Sequence, residues 1–241
     1  MKNIILIGFV FVFGISNSQK SGTYTDARDG KVYKTVVIGT QMWMSENLNI
    51  TTFINGDTIP EAKTNEDWTR AYRNGTPASC YFENDSNNQK TMGKLYNFNV
   101  ISDLRGFAPI GWHIPNDEEW GVLINYLGGK NFACNKMKSV NGWPAVNYAD
   151  SYREMMLQNG MSLPPAKDQN GNNSSGFSAM PSGWRDVYGD FMPSLGSNSF
   201  WSKSDLNNSN TVYIWKLGND NEINKLKQDK GRGFPIRCVK D

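Results

Sequence analysis

One histidine, His113, is all this sequence offers to imidazole chemistry. Cysteine is nearly as scarce, at Cys80, Cys134 and Cys238. A zinc site needs a closed set of ligands at defined spacings, and three scattered cysteines with one histidine do not supply it. No serine or cysteine nucleophile motif surrounds His113, so it is read as a structural hydrogen-bonding residue rather than a general base. There is no glycine-rich phosphate loop. Asp168-Gln169-Asn170-Gly171 has the opening of a calcium loop, but the remaining ligands and the closing glutamate are missing, which leaves a turn. No pair of carboxylates stands out as one that would cleave a glycosidic bond. These residues imply no cofactor and no metal. Charge of one sign is also lacking: 25 Lys and Arg stand against 23 Asp and Glu. That balance gives no reason to expect nucleic acid or an anionic membrane as partner.

Long apolar runs are missing too, with one exception at the start. Lys2 precedes a nearly unbroken apolar stretch from Ile4 to Ile15, and Ser16-Asn17-Ser18 then places small residues where a signal peptidase reads. A span of the bilayer takes about 20 apolar residues, and this run is shorter. Residues 1–18 are therefore expected to be a secretory signal peptide, with the mature chain starting near Gln19. The implied location is the periplasm, the cell surface or the medium. That compartment is oxidising, so three cysteines suggest one disulfide and one remaining thiol. Aromatic residues, asparagine and glycine are abundant, a mixture suited to short strands joined by long ordered loops.

Residues 19–28 look like a polar leader, and the domain is expected over 29–241. From Val32 the pattern alternates: Val32, Lys34, Val36 and Ile38 share one face, and Tyr33, Thr35 and Val37 the other. Gly39-Thr40 fits a two-residue hairpin turn, with Gln41 to Met44 as the return strand. Glu61 to Arg73 has room for a short helix, Cys80-Tyr81-Phe82 reads as a brief strand, and Leu95 to Val100 is apolar enough to be buried. Asn116 can cap a helix, with Glu119 completing a capping box. Trp120, Leu123, Ile124 and Leu127 then form one apolar stripe, stopped by Gly128-Gly129. The carboxylates of Asp117, Glu118 and Glu119 suit the positive end of that helix. Most of 141–199 reads as loop, with a further helix possible at Asp150 to Gln158. Phe200-Trp201-Ser202, a hairpin through Gly218 to Asn221, and a last strand with Phe234, Ile236 and Cys238 on one face complete the pattern.

Five blocks carry a resemblance. They are Asp29 to Leu48, Gly93-Lys94-Leu95-Tyr96-Asn97, Gly111 to Trp120 with its Trp-His-Ile-Pro turn, Ser175 to Arg185, and Gly233 to Asp241. In this order they resemble the Fibrobacter succinogenes major paralogous domain family of exported proteins. The helix-start block and the Gly-Phe tail are also similar to formylglycine-generating-enzyme-type domains, which have a C-type-lectin-like fold. The resemblance implies an α+β, C-type-lectin-like architecture: twisted antiparallel strands, one or two helices and a large irregular loop region. That enzyme's paired active-site cysteines have no counterpart near Cys238, so its chemistry does not carry over. A helix-to-last-strand bridge of the lectin-like kind would join Cys134 to Cys238. Cys80 with Cys238 is the other pairing open, because the family shares both positions.

The expected function is a non-enzymatic recognition module for a glycan or a cell-surface protein. A hydrolase or oxidase on the same scaffold, or a structural envelope protein, are the alternatives. Ligand contact is expected in the loop region from Asn141 to Trp201. The candidates are Trp184, Arg185, Asp186, Tyr188 and Trp201, which combine rings that stack on sugars with a fork donor and an acceptor. The competing reading, and the commoner fate of a tryptophan, is that Trp184, Trp201 and Trp215 fill the core.

Overall fold

Alternation along β2 (Val32–Ile38) builds the main sheet. Val36 and Ile38 are buried on one face and Tyr33 on the other, while Val32 and Lys34 reach solvent. Gly39-Thr40 turns the chain into β3 (Gln41–Met44), with Ile38 facing Gln41 across the turn. Gly39 has φ +62, a conformation in which a side chain is strained. It also lies under the Tyr126 ring, 2.9 Å from where a Cβ would sit. The fold is seen in a computed structural model that describes residues 20–145, 157–160, 168–194, 196–204, 209–218 and 221–241. The export segment, residues 1–18, lies outside the described residues, as does most of the helix expected at Asp150 to Gln158.

The stretch read as a polar leader contributes a strand. β1 (Ser21–Thr25) pairs antiparallel with β2 and forms the edge of the sheet. Its side chains are mostly exposed, so hydrophobic alternation carried no trace of it. Next come α1 (Asn65–Asn74), β4 (Ser79–Cys80), β5 (Leu95–Tyr96), α2 (Phe98–Ser102) and β6 (Trp112–His113). Thr64 caps α1 by accepting from the Asp67 N–H, and Gly75, at φ 62, ends it. α3 (Asp117–Tyr126) starts as expected: Asn116 and Glu119 form a reciprocal capping box, and Trp120, Leu123, Ile124 and Leu127 are buried. α3 stops before Gly128-Gly129 as expected, and a second helix follows at once. Gly129 sits at the head of α4 (Lys130–Met137), which buries Ala133, Cys134 and Met137. The chain ends in β7 (Trp184–Arg185), β8 (Phe191–Met192), β9 (Asn198–Trp201), β10 (Thr211–Leu217), β11 (Ile223–Asp229) and β12 (Val239–Lys240).

The main sheet has the order β1-β2-β3-β12-β6, and a second sheet has the order β11-β10-β9. Two short ladders, β4-β5 and β7-β8, complete an α+β domain. Among the described residues no helix is long and apolar enough to cross a membrane.

The C-terminal segment divides the core. Phe234, Ile236 and Cys238 enter one apolar cluster with Tyr96, Trp112 and Trp201. Val239 faces the opposite cluster, which holds Trp43, Trp120, Phe177, Phe200 and Trp215. β10 does the same, with Val212 and Ile214 on one side and Trp215 and Leu217 on the other. A third, smaller cluster surrounds Trp68 of α1 and includes Cys80.

This division removes the expected disulfide. Cys134 faces the second cluster and its Sγ donates to the Gly218 carbonyl at 3.8 Å, whereas Cys238 faces the first. A Cys134–Cys238 bridge would have to pass through the sheet that separates them. Cys80 lies in the third cluster, so the alternative pairing is not formed either, and none of the three is in a disulfide. Burial pushes the Cys80 thiol up to about 11 and raises that of Cys238 as well.

Candidate functional site

The five residues singled out for ligand contact do not meet on one surface. Trp201 is wholly buried; its Nε1 donates to the Tyr96 carbonyl at 2.7 Å and its ring packs edge-on against Phe98 and Phe234. Trp201 is therefore core and not a contact. Arg185 is also buried. Its Nε donates to the Gly189 carbonyl (2.8 Å), Nη1 to that of Ala62 (2.7 Å) and Nη2 to that of Thr64 (2.9 Å), with the guanidinium over the Trp68 and Phe191 rings. It straps the β7–β8 turn to the start of α1. Asp186 shapes that turn, its Oδ1 accepting from the N–H groups of Tyr188 and Asp190, both at 2.9 Å.

Asp186 is half-buried at that turn, and Trp184 and Tyr188 also keep accessible surface. Trp184 is half-buried, with its ring stacked on Phe234 (centroids 5.8 Å apart, planes 23°) and in contact with the Arg232 guanidinium 4.5 Å away. It lines a cleft of 120 Å³ with Asn198, Lys216 and Gln228. Tyr188 is exposed and borders a different cavity, alongside Arg70 and Arg73 of α1. The loop between them turns Trp184 and Tyr188 apart.

His113 is held from both sides. Its Nδ1 lies 2.6 Å from Asp241 Oδ1 and its Nε2 2.6 Å from Glu119 Oε1. Glu119 Oε2 in turn accepts from the Asn116 N–H, so one carboxylate serves both the histidine and the helix cap. Partial burial works against the imidazolium, but the two carboxylate hydrogen bonds outweigh it and raise the pKa above its ordinary value. With both ring nitrogens engaged, the residue ties β6, α3 and the chain's tail together. Asp117 next to it collects Ser202 and Ser204 hydroxyls, Trp215 Nε1 and Lys225 Nζ, at 2.8 to 3.1 Å. Burial opposes its charge, yet Lys225 and the serines hold its carboxyl below the usual range.

A groove of 650 Å³ lies where β2 meets the segment after β3 and the loop around Gln89 to Gly93. Ser178 and Met180, from the long loop region, close one side, and Arg237 reaches in from the tail. Asn47 links the parts: its Nδ2 donates to the Met92 carbonyl and its Oδ1 accepts from Arg237 Nε, both at 2.8 Å. Arg237 also donates to the carbonyls of Phe177 and Ser178, and its guanidinium rests on the Phe177 and Phe200 rings. Burial lowers its pKa, to about 9, and the Glu46 charge nearby offsets this only in part. Four cations line the groove, Lys31, Lys34, Lys90 and Arg237, against the one carboxylate of Glu46. None of these residues was singled out from sequence. The available signal was Arg237 itself, a charge between Ile236 and Cys238 in a segment whose neighbours read as core.

These features define an α+β domain whose central sheet is completed by its own C-terminal segment and which carries a polar, cation-lined groove. The chain belongs to the Fibrobacter succinogenes major domain family, whose model matches residues 36–240. No curated protein and no solved structure matches it.

Proposed function

We propose that this is an exported, non-enzymatic recognition module, built on a C-type-lectin-like scaffold, that binds a glycan in the groove between β2 and Arg237. The observation that carries the reading is the groove: 650 Å³ lined by the amides of Asn49 and Gln89, the hydroxyls of Ser45, Thr91 and Ser178, and four cations. That volume lies in the range of small-molecule sites, and convergent amides and hydroxyls are the groups that bond sugar hydroxyls. The loop region expected to hold the ligand contributes Ser178 and Met180 to it. Binding rather than catalysis is supported by His113, whose two nitrogens are both occupied by carboxylates. Export rests on residues 1–18 and places the ligand in the periplasm, at the cell surface or outside the cell.

A glycan array probed with the mature protein tests this. The expected result is a defined set of bound glycans, lost when Gln89, exposed on the groove's rim, is changed to Trp. An array with no bound glycan would refute it, and retained binding by Gln89→Trp would move the site out of the groove.

A further inference from the structure

Two partly exposed arginines show how a carboxylate matches a guanidinium in this protein, and the buried Arg237 has no such match. Arg28 makes a two-pronged pair with Asp26, at 3.0 and 2.7 Å, and Arg105 does the same with Asp103, at 2.8 and 2.9 Å. Arg237 is only 2% exposed, yet its hydrogen bonds go to three neutral oxygens, Asn47 Oδ1 and the Phe177 and Ser178 carbonyls. A guanidinium carries five N–H donors, so two find no acceptor among the described residues. A buried charge without an opposite partner is costly, because nothing repays the water it has lost.

No carboxylate of the groove is free to supply that partner. Glu46 accepts from the Lys34 N–H at 2.8 Å and faces the Lys34 ammonium at 3.7 Å. Lys31 is matched by Asp29 at 3.0 Å, but Lys90 on the rim has no ion pair among the described residues. Arg185 is the instructive contrast. It too is buried against carbonyls, but it is 0% exposed and lines none of the cavities described above. Arg237 opens onto the largest of them.

We propose that the groove takes a carboxylated sugar, its carboxylate acting as the counter-ion of Arg237 and its hydroxyls bonded by the surrounding amide and hydroxyl side chains. This rests on the glycan reading above and narrows it to acidic saccharides. The size of the groove argues for a sugar over a bare inorganic anion, which would leave most of 650 Å³ unfilled. The guanidinium's planar fork matches a carboxylate, and the rim ammonium of Lys90 adds attraction on approach.

Calorimetry with a galacturonate oligosaccharide and its neutral galactose counterpart is the test, accompanied by NMR of the Arg237 Nε–H signal. The acidic sugar should bind about tenfold more tightly or better, as expected of hydrogen bonds to a charged partner. The Arg237 signal should shift on binding, and the affinity should fall with added salt. Lys90→Glu should weaken the acidic sugar several-fold while leaving the melting temperature unchanged. Equal affinities for the two sugars would overturn the inference and leave the glycan reading standing. Binding that leaves the Arg237 signal unmoved would also overturn it. Acetate or inorganic phosphate binding as tightly as the acidic sugar would refute the saccharide assignment. If neither sugar binds and the array is blank, both readings fall.

Discussion

Two tryptophans in the same protein offer a controlled measurement of what one buried N–H is worth. Trp120 and Trp201 are both 0% exposed. Trp201 Nε1 donates to the Tyr96 carbonyl at 2.7 Å, whereas Trp120 Nε1 has no partner among the described residues. Changing either to Phe removes the same atoms, so the shared packing loss is roughly 1 to 2 kcal/mol in each case. Trp201→Phe additionally loses a hydrogen bond of about 1 kcal/mol net. The Tyr96 carbonyl keeps one donor, the Phe234 N–H at 3.2 Å, so it is not stranded. Trp120→Phe instead deletes an unsatisfied buried donor, which returns about 1 to 3 kcal/mol. The expected gap is about 2 to 4 kcal/mol, with Trp201→Phe the worse variant. Urea denaturation of both variants reads it from the midpoints, provided the slopes agree with that of the parent. Equal costs, or a larger loss for Trp120→Phe, would refute the reasoning. A loss of glycan binding by a folded Trp201→Phe would return Trp201 to the ligand site.

The remaining expectations concern titration and thiols. His113 has a folded pKa above the ordinary 6.5, so the folded state holds its proton more tightly. Its contribution to stability is complete below that ordinary value and is lost as pH rises through the raised folded value. Urea midpoints should therefore decline across this window, and the decline should flatten in His113→Gln; an unchanged slope would show that the Glu119 and Asp241 contacts carry no such linkage. The three thiols are buried in separate clusters, so a thiol reagent should modify none in the native protein and all three in urea. Reductant should leave the unfolding midpoint unchanged, and any cysteine crosslink in unreduced peptide maps would contradict the clusters.

What could be read in advance was local. Asn116 and Glu119 lie three positions apart, and their capping box needs nothing from the rest of the chain. The same holds for the Gly39-Thr40 turn; Phe234, Ile236 and Cys238 do share one cluster, but of the expected last strand, Phe234 to Val239, only the end is regular, in β12. α4 was missed because Gly128-Gly129 carries the signature of a stop, while here it joins two helices. Strand β1 was missed because an edge strand can be held by backbone bonds with little apolar burial. Arg185 and Trp201 have the chemistry of ligand contacts, and their burial is decided by partners such as Ala62 and Tyr96, remote in sequence. The groove was illegible for the same reason. Lys31, Glu46, Lys90, Ser178 and Arg237 come from five distant segments.

The placement of β12 has a consequence for how the chain matures. Val239 pairs with Trp43 on one side and His113 on the other, so the middle of the main sheet is filled by a strand made after every other strand described here. Until it arrives, neither large apolar cluster is closed, since Phe234, Ile236 and Cys238 line one and Val239 the other. A growing chain can form α3 and the β2–β3 hairpin, but these have no floor to settle on. Contacts this remote in sequence slow folding, and they also postpone it. A polypeptide that stays open until β12 has been made remains threadable, which is the condition a chain must meet to be passed unfolded across a membrane before it folds on the far side.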